Sequence, residues 1–581
     1  MAQLRSMLYK LIPGFQITMI LVWLSNLSRT DSYFSIYAII AFAAGYLILK
    51  QRESVIPRKE QIIVCVLSIF FSCGVLLANY PLFTTIGDPA VISRSTSLLM
   101  NLIDGFLTLV GGISVSAPVL KYAFLTYPGK VRSRECGICI PGFPVWIFLT
   151  FVVLNLIHLM FVEYPGNMTE DTFTQISEMV SGSYSNFNTF WHTMILRGGL
   201  SLGYILFSDL NAAFAFFCVI QILLVSFAFT YSLMTLRQYG VSNGFFIAVF
   251  LVYAIVPYNI ALSITIWKDV LFAIATLLVI SSWLRITLKI GKRTALNYAV
   301  FGFGSILYFM ARTNGWVIYL VTFLLYAVFN RRNKKFLAVM GALAVFGWAL
   351  LNPILSAFAV DGSDPVEDMS VPIQQVSRVI ADGCDLTEEE KMLLEAVVDL
   401  EEVPALYTNW LSDPMKIEVR SKNYEYFLNN IDAYRNLWIK LGLRYPWEYV
   451  KAWVDQTRGY WNGGYDYALY SETVTENPYG VEKSGGNNPV ASLFRLYFGL
   501  SRHLIFFEPL HSIGLHVWIV FLCLIVNIAK KREVWFVALP VVLLVVGLWF
   551  GTPVYSCFRY AYPLFVCFPV ILGTTLYLPK Q

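Results

Sequence analysis

The stretch EYPGNMTEDTFTQISEMVSGSYSNFNTFWHT, residues 163–193, is acidic and polar but lies between two long apolar segments. The Pro-Gly pair at 165–166 is expected to end the preceding apolar helix, and Asn167 can cap a new one. Three polar residues then recur at helical spacing, so that their side chains share one face: Asp171, Gln175 and Glu178. The stretch is therefore predicted to be a helical loop that gathers polar groups at the end of a membrane span.

The composition around this loop is that of a polytopic membrane protein. Of 581 residues, 57% are hydrophobic, 16% aromatic and only 14% charged, and the mean hydropathy of +0.62 is high for a soluble protein. Apolar runs of roughly 17 to 25 residues, enough to cross ~30 Å of hydrocarbon, predict an all-α fold with about fourteen transmembrane helices. The runs lie near 11–27, 33–49, 61–82, 98–120, 143–163, 210–236, 243–260, 268–288, 297–312, 316–330, 336–357, 512–529, 533–550 and 554–577.

Clusters of Lys and Arg between the apolar runs predict the orientation. Short cytoplasmic loops carry an excess of these residues, and five clusters fit one side: 50–59, 130–134, 289–293, 331–335 and 530–532. They agree only if residues 193–208 do not cross the membrane, so we expect an interfacial helix there on the outer face. Both termini are then cytoplasmic, and the 163–193 loop lies outside.

A long polar segment, residues 359–508, is also expected outside, as a mainly helical extracytoplasmic domain. Its roughly 150 residues suffice for one small core. Leu and Val recur at helical spacing between 387 and 400, and Pro446 can open another helix that ends before Gly463. Its aromatic residues fit two interpretations, stacking on sugar rings or an interfacial aromatic belt: Tyr460, Trp461, Tyr465 and Tyr467.

The sequence gives little support for cofactors or nucleic acid. Cys136 and Cys139 form a lone CxxC without a second pair nearby, so a metal site is not expected there. A divalent metal is possible but unsupported, because the acidic residues of the outer face are not clustered by spacing. No Walker or dinucleotide-binding glycine pattern occurs. The net charge of +5 reflects the cytoplasmic loops and not a basic nucleic-acid-binding domain.

Asp171 is the first candidate for catalysis. A carboxylate just outside the hydrocarbon on a short helix can accept a proton from a hydroxyl nucleophile; the alternative is a first-turn acid stabilised by the helix dipole. With Asn167 as the N-cap, Glu170 would take the capping-box position, which leaves it as the second candidate. Gln175 either holds a sugar hydroxyl, orients Asp171, or is a solvated helix residue.

The other candidates are substrate-binding residues at the ends of apolar segments. His192 follows two aromatic residues and either lines the site or is a hydrogen-bonded packing residue. Lys268 and Asp269 begin an apolar helix, where Lys268 can neutralise a lipid phosphate with Asp269 orienting it, or both can form a snorkelling ion pair.

Two further outer cations repeat this pattern in other parts of the chain. Arg312 lies in a short turn before Asn314, and Arg559 precedes Tyr560. With Lys268 they make three cations on one face, which suits an anionic head group better than three unrelated snorkelling side chains.

Several short motifs follow one another across residues 143–570. They are Tyr164-Pro165-Gly166 with Asp171 and Gln175, His192-Thr193, Lys268-Asp269, Arg312-x-Asn314-Gly315, Pro372-Ile373-Gln374-Gln375 with Arg378, Tyr445-Pro446 with Tyr449, Gln456-Thr457 with Gly459-Tyr460-Trp461, and Arg559-Tyr560 with Pro563. Taken in order, these motifs resemble a bacterial membrane-protein family known only as a domain of unknown function. That family is similar to the GT-C glycosyltransferases, which include protein O-mannosyltransferases and the aminoarabinose transferases of lipid A.

The resemblance implies transfer of a sugar from a polyprenyl-phosphate donor to a glycan, lipid or protein acceptor outside the bacterial cytoplasmic membrane. Asp171 would deprotonate the acceptor, while Lys268, Arg312 and Arg559 would stabilise the leaving lipid phosphate. No cofactor is implied. The expected organisation is a four-helix addition (1–142), a GT-C-like core (143–358) with its catalytic loop (164–209), the outer domain (359–510) and a C-terminal three-helix segment (511–581).

Two other functions remain open. A lipid-linked glycan transporter would also place cations at membrane level, although it should show repeat-related halves, and none is visible in the sequence. A non-catalytic scaffold for polysaccharide assembly would keep the outer domain but tolerate loss of Asp171.

Overall fold

The computed structural model confirms the all-α prediction and shows no strand among the residues it describes. These are residues 2–28, 34–51, 54–81, 98–127, 142–186, 188–291, 294–330, 333–358, 360, 362, 364–463, 477–484, 486–504, 507–551 and 554–579. The Cys136/Cys139 pair and the aromatic residues Tyr465 and Tyr467 lie outside the described residues.

Four long helices form the N-terminal unit: α1 (Ala2–Leu27), α2 (Phe34–Lys50), α3 (Arg58–Ala78) and α4 (Leu98–Thr126). They pack around a cluster that includes Trp23, Tyr37 and Val115. Helices α1 and α4 approach closely at Gly111, where an added Cβ would lie 2.5 Å from the Cβ of Trp23. A residue without a side chain is therefore needed at this crossing.

Ten helices form the central part: α5 (Phe143–Phe161), α6 (Glu170–Ser181), α7 (Phe190–Phe207), α8 (Leu210–Tyr239), α9 (Asn243–Ile255), α10 (Pro257–Ser263), α11 (Lys268–Thr287), α12 (Thr294–Ala311), α13 (Thr313–Phe329) and α14 (Lys334–Leu351). Helix α11 lies at the centre, and 89% of its most apolar 18-residue stretch is buried. Because it is apolar on all sides, it can bury its whole circumference among its neighbours.

The outer segment has its own small hydrophobic core, which includes Val366, Val379, Val403 and Leu441. Helix α15 (Pro353–Ala357) continues the candidate span of α14. The outer segment then contains α16 (Pro365–Asp368), α17 (Ser370–Ala381), α18 (Glu388–Glu395), α19 (Val403–Leu406), α20 (Asp413–Asn429), α21 (Ile431–Arg444) and α22 (Pro446–Thr457), followed by a 3₁₀ turn, Arg458–Tyr460. Pro446 begins α22, as predicted from the sequence.

Two aromatic residues of this segment are packed and not displayed. Tyr460 is 1% exposed and Trp461 is 6% exposed. The Tyr460 hydroxyl donates to the carbonyl of Val554 at 2.5 Å, and the Trp461 indole donates to Thr457 Oγ1 at 3.2 Å. Neither ring has an open face on which a sugar ring could stack. The interpretation of Tyr460 and Trp461 as sugar-stacking residues is therefore wrong.

The chain ends with α23 (Pro489–His503), α24 (Glu508–His511), α25 (Ile513–Ala529), a 3₁₀ turn (Trp535–Ala538), α26 (Leu539–Phe550) and α27 (Phe558–Leu576). Among the described residues, eight helices are long and apolar enough to cross a membrane, or nine if the pair α9 and α10, bent by 50°, is one span. Five further apolar helices are shorter, at 10–17 residues. Multi-pass character is thus supported, but the count of about fourteen and the orientation stay predictions.

Helix α7, which was expected to lie in the interface, is not among those eight helices. It forms a hairpin with α8, where Gly203 faces Ala213 and Gly199 faces Phe217. Several large apolar side chains near its end are exposed: Leu202, Tyr204, Ile205, Leu206 and Phe207.

Long-range hydrogen bonds place several helix ends together at one end of the bundle. The Trp191 indole donates to the carbonyl of Leu350 at 3.1 Å, and the Trp453 indole donates to that of Trp549 at 2.7 Å. The 163–193 loop, the ends of α14 and α26, and the outer segment therefore share one face, and the candidate site lies there.

Candidate functional site

Helix α6 begins at Glu170 with Thr169 as its N-cap. The Thr169 N–H donates to Thr172 Oγ1 at 3.2 Å, and the Trp267 indole donates to Thr169 Oγ1 at 2.6 Å. The expectation that Asn167 caps this helix is wrong. Glu170 is accordingly the first helical residue and does not hold the capping-box position assigned to it.

Asn167 instead joins the loop to the residues before α11. Its N–H donates to the carbonyl of Ile264 and its carbonyl accepts from the N–H of Ile266, both at 3.0 Å. Its side-chain amide donates to Thr265 Oγ1 at 3.0 Å. The chain stays extended here because it pairs with this segment, and the pairing fixes the start of α6 beside the start of α11.

Asp171 faces an arginine that lies 388 residues further along the chain. Arg559 Nη1 donates to Asp171 Oδ2 at 2.5 Å, and the Asp171 side chain remains 27% exposed. Glu170 is exposed on the same helix. The structure therefore places Asp171, and not Glu170, in the charged cluster.

Asp269 is the buried centre of this cluster. Its side chain is 2% exposed, and its carboxylate lies 3.2 Å from Arg312 Nε and 3.8 Å from Arg559 Nε. Arg559 thus bridges the two acids, Asp171 and Asp269. That Asp269 orients the adjacent Lys268 stays a prediction.

Lys268 contacts the loop between α6 and α7. Its ammonium group donates to Asn188 Oδ1 at 3.3 Å. Aromatic rings flank the two arginines: Arg312 lies 4.6 Å from the ring centroid of Tyr560, and Arg559 lies 5.0 Å from that of Trp267. Such cation–π contacts hold the guanidinium groups in place without neutralising them.

The Arg-x-Asn-Gly motif contributes unequally to the site. Arg312 is the N-cap of α13, whereas Asn314 is exposed in the first turn of that helix. Gly315 is buried, and a Cβ added there would lie 2.9 Å from the carbonyl of Tyr308. The motif therefore supplies one cation and one close packing contact to this part of the structure.

Gln175 and His192 lie behind the cluster. Gln175 is 2% exposed and His192 is 1% exposed. The Gln175 amide is 2.9 Å from His192 Nδ1 and donates to Thr193 Oγ1 at 2.9 Å and to the carbonyl of Asn188 at 3.3 Å. Gln175 is therefore bonded to the loop that carries Asn188, and its interpretation as a solvated helix residue is wrong.

The histidine is kept neutral by its surroundings. Burial lowers the pKa of His192 to about 4, and the charge of Lys268 acts in the same direction. At neutral pH its imidazole is a hydrogen-bonding group without charge. Its contacts make it a positioning residue for Gln175.

The cluster carries a surplus of positive potential. It holds three cations against two carboxylates, a formal excess of one positive charge: Lys268, Arg312 and Arg559 against Asp171 and Asp269. Four helices, α6, α11, α13 and α27, begin within or beside it. Because the N-terminal end of a helix carries partial positive charge, these helix starts add to the attraction for an anion.

Two buried donors of the cluster have no hydrogen-bond partner among the described residues: Arg312 Nη1 and Asn188 Nδ2. Buried donors are rarely left in this state, and a ligand is one explanation for such exceptions. Among the described residues, no three His, Cys, Asp or Glu side chains are arranged to hold a metal ion. The site thus has donors suited to an anionic group with several oxygens.

Sequence reasoning missed three residues of this site: Asn188, Trp267 and Thr169. Trp267 directly precedes Lys268, but its dual contact with Thr169 and Arg559 joins three separate elements. No spacing within the sequence could have predicted that contact.

Comparison with known proteins bears on the family and not on the activity. No curated protein and no solved structure matches the chain. Residues 147–578 match a family of unknown function, DUF6020. The match begins within α5 and ends after α27, so it includes every residue of the charged cluster and leaves α1–α4 outside. Because it covers well over half of the sequence, the chain belongs to the DUF6020 family of unknown function.

Proposed function

We propose that the protein is a membrane glycosyltransferase that moves a sugar from a polyprenyl-phosphate donor to a hydroxyl acceptor at the outer face of the bacterial cytoplasmic membrane. The observation that carries the proposal is the charged cluster of Asp171, Asp269, Lys268, Arg312 and Arg559 at the end of the helical bundle. It combines a partly exposed carboxylate with cations that exceed the acids by one charge. General-base catalysis and stabilisation of a leaving phosphate need this combination.

In the proposed reaction the acceptor oxygen attacks the anomeric carbon as the bond from that carbon to the phosphate oxygen breaks. The acceptor proton passes to Asp171, and the electron pair of the breaking bond leaves on the lipid phosphate. Arg312 and Lys268 stabilise that phosphate. Asp269 holds both arginines in position and is too buried to take the proton from an acceptor.

The contact between Arg559 and Asp171 has a consequence for the order of events. Arg559 Nη1 donates to Asp171 Oδ2 at 2.5 Å, so this carboxylate oxygen is already occupied in the structure. A donor phosphate that draws Arg559 towards itself would free the oxygen. Asp171 would then be open to the acceptor hydroxyl only when the donor is bound, which would disfavour proton abstraction without a donor.

The test is Asp171→Asn in the full-length protein in detergent or liposomes, with a synthetic polyprenyl-phosphate sugar. We expect transfer to fall by roughly 10²- to 10⁴-fold, the usual contribution of a general base, while binding of the donor is retained. The matched control is Glu170→Gln, the exposed neighbouring acid, which should transfer at close to the wild-type rate. Transfer by Asp171→Asn at the wild-type rate would remove Asp171 as the base, whereas no transfer by the wild type would favour the non-catalytic scaffold.

A further inference from the structure

The N-terminal unit encloses a cavity at the end of the bundle opposite to the charged cluster. The cavity has a volume of about 490 Å³ and is lined by residues of α1–α4 and of the α2–α3 connection, within the range of about 300–1,000 Å³ usual for ligand sites. Its lining includes the first turns of α3, whereas the other end of α3 leads to Tyr80, which donates to Asp455 of the outer segment. The two sites are therefore separated by the length of a membrane-spanning helix.

One buried amide in the cavity wall lacks a partner. Gln51 is 6% exposed and lines the cavity, and neither its side-chain oxygen nor its side-chain nitrogen has a hydrogen-bond partner among the described residues. Leaving such a group unsatisfied is unfavourable, because it has lost its hydrogen bonds to water. A bound ligand with a polar group at this point would remove that cost.

The charge of the cavity wall selects the sign of the ligand. Among the described residues of the lining, Lys121 is the only charged one and none is acidic. Its ammonium group donates to the backbone carbonyl of Gln51 at 3.3 Å, so the cation lies beside the residue that carries the unpartnered amide. The rest of the wall is mainly apolar and includes Leu47, Ile48, Val64 and Ile113.

We propose that this cavity binds an anionic lipid, with the phosphate of its head group at Lys121 and Gln51 and part of a chain against the apolar wall. The amide nitrogen of Gln51 and the ammonium group of Lys121 each donate to a phosphate oxygen. A lipid fits better than free phosphate. A small anion that enters the cavity loses its water shell and gains nothing from the apolar wall, whereas a lipid also covers that wall with its chain. The site lies outside residues 147–578 and does not depend on the proposed transferase activity.

Native mass spectrometry of the delipidated full-length protein tests the proposal, with phosphatidylglycerol, phosphatidylcholine and inorganic phosphate as the three probes. We expect phosphatidylglycerol to bind at least tenfold more tightly than phosphatidylcholine. Lys121→Gln should remove this preference, Gln51→Leu should reduce it, and Lys121→Arg should restore it. Lys50→Gln is the matched control, because Lys50 is an exposed cation one residue from Gln51 that does not line the cavity.

Three results would overturn the proposal. The first is equal binding of the two lipids by the wild type. The second is an unchanged preference in Lys121→Gln, with thermal unfolding confirming that the variant is folded. The third is inorganic phosphate that binds as tightly as phosphatidylglycerol with the same dependence on Lys121, which would identify a soluble anion as the ligand.

Discussion

At the scale of single residues, the candidate site depends on ion pairs between residues distant in sequence. The sequence identified Lys268, Arg312 and Arg559 as cations at one membrane face, since each stands at the edge of an apolar run. It could not identify their partners, because the pairing of Arg559 with Asp171 depends on how α27 packs beside α11. Charge at the end of a span can be predicted locally, whereas an ion pair across 388 residues cannot.

The burial of His192 leads to a prediction on pH. Its pKa is lowered from the usual 6.5 to about 4 in the folded protein, so below pH 6.5 the unfolded chain takes up a proton that the folded protein excludes. Folding stability should therefore be complete above pH 6.5 and fall towards pH 4, by ~3 kcal/mol for this residue.

The measurement compares wild type and His192→Asn by chemical unfolding in mild detergent between pH 7 and 4. Asn keeps a polar group near Gln175 but does not titrate. The free energy of unfolding of the wild type should fall relative to that of the variant as the pH drops, since other titrating groups cancel in the difference. A difference that stays constant over this range would contradict the assignment.

At the scale of elements, the 163–193 loop shows which local features a sequence can predict. Its helix and the shared face of Asp171, Gln175 and Glu178 follow from spacing, and the structure contains both. The preceding helix ends at Phe161, four residues before the Pro-Gly pair that was predicted to end it. The start of α6 was misplaced because Asn167 pairs with Ile264 and Ile266, a tertiary contact that overrides its preference for an N-cap. Local signals thus identified the helix but not its boundary.

Gly166 is predicted to fix this loop through two separate constraints. Its φ is +133°, and a Cβ added there would lie 2.4 Å from Cys218 Sγ. Gly166→Ala should therefore cost roughly 3 kcal/mol or more, from backbone strain and overpacking together. Gly182→Ala, at φ +73° with no atom within 4 Å, carries the backbone strain alone and should cost about 1 kcal/mol.

Thermal unfolding of the single variants and of Gly166→Ala in a Cys218→Ala background separates the two constraints. The Cys218→Ala change should recover the overpacking part of the Gly166→Ala loss and leave the backbone part. Equal losses for Gly166→Ala and Gly182→Ala would show that the contact with Cys218 is relieved by a small shift and does not position α6.

At the scale of the whole molecule, a network of ion pairs joins the outer segment to the N-terminal unit. Asp455 is 2% exposed and accepts from Arg378 Nη1 at 2.8 Å and from the Tyr80 hydroxyl at 2.9 Å. Arg458 lies 3.4 Å from the same carboxylate and donates to the carbonyl of Ala78. The length and polarity of the outer segment predicted a separate domain. Its docking beside α3 could not be predicted, because the contact joins residues 375 positions apart in the sequence.

Arg378→Gln should therefore loosen the outer segment from the bundle. Removing the guanidinium leaves the buried Asp455 with the more distant Arg458 as its cation, and we expect a loss of about 3 kcal/mol, the lower end for breaking a buried pair. The control is Arg435→Gln, whose arginine is 59% exposed and pairs with the 88% exposed Asp432, and which should change stability by less than about 0.5 kcal/mol.

Tyr80→Phe distinguishes docking from the internal stability of the outer segment, because it removes a bond between the α3 side and the outer segment and leaves the ion pairs within the outer segment intact. Limited proteolysis in detergent should cleave the outer segment faster in both Arg378→Gln and Tyr80→Phe than in Arg435→Gln. If the outer segment is held by its apolar contacts alone, all three variants will be cleaved at the wild-type rate. Faster cleavage in Arg378→Gln but not in Tyr80→Phe would place the role of Arg378 within the outer segment, where it also pairs with Asp382 at 2.9 Å.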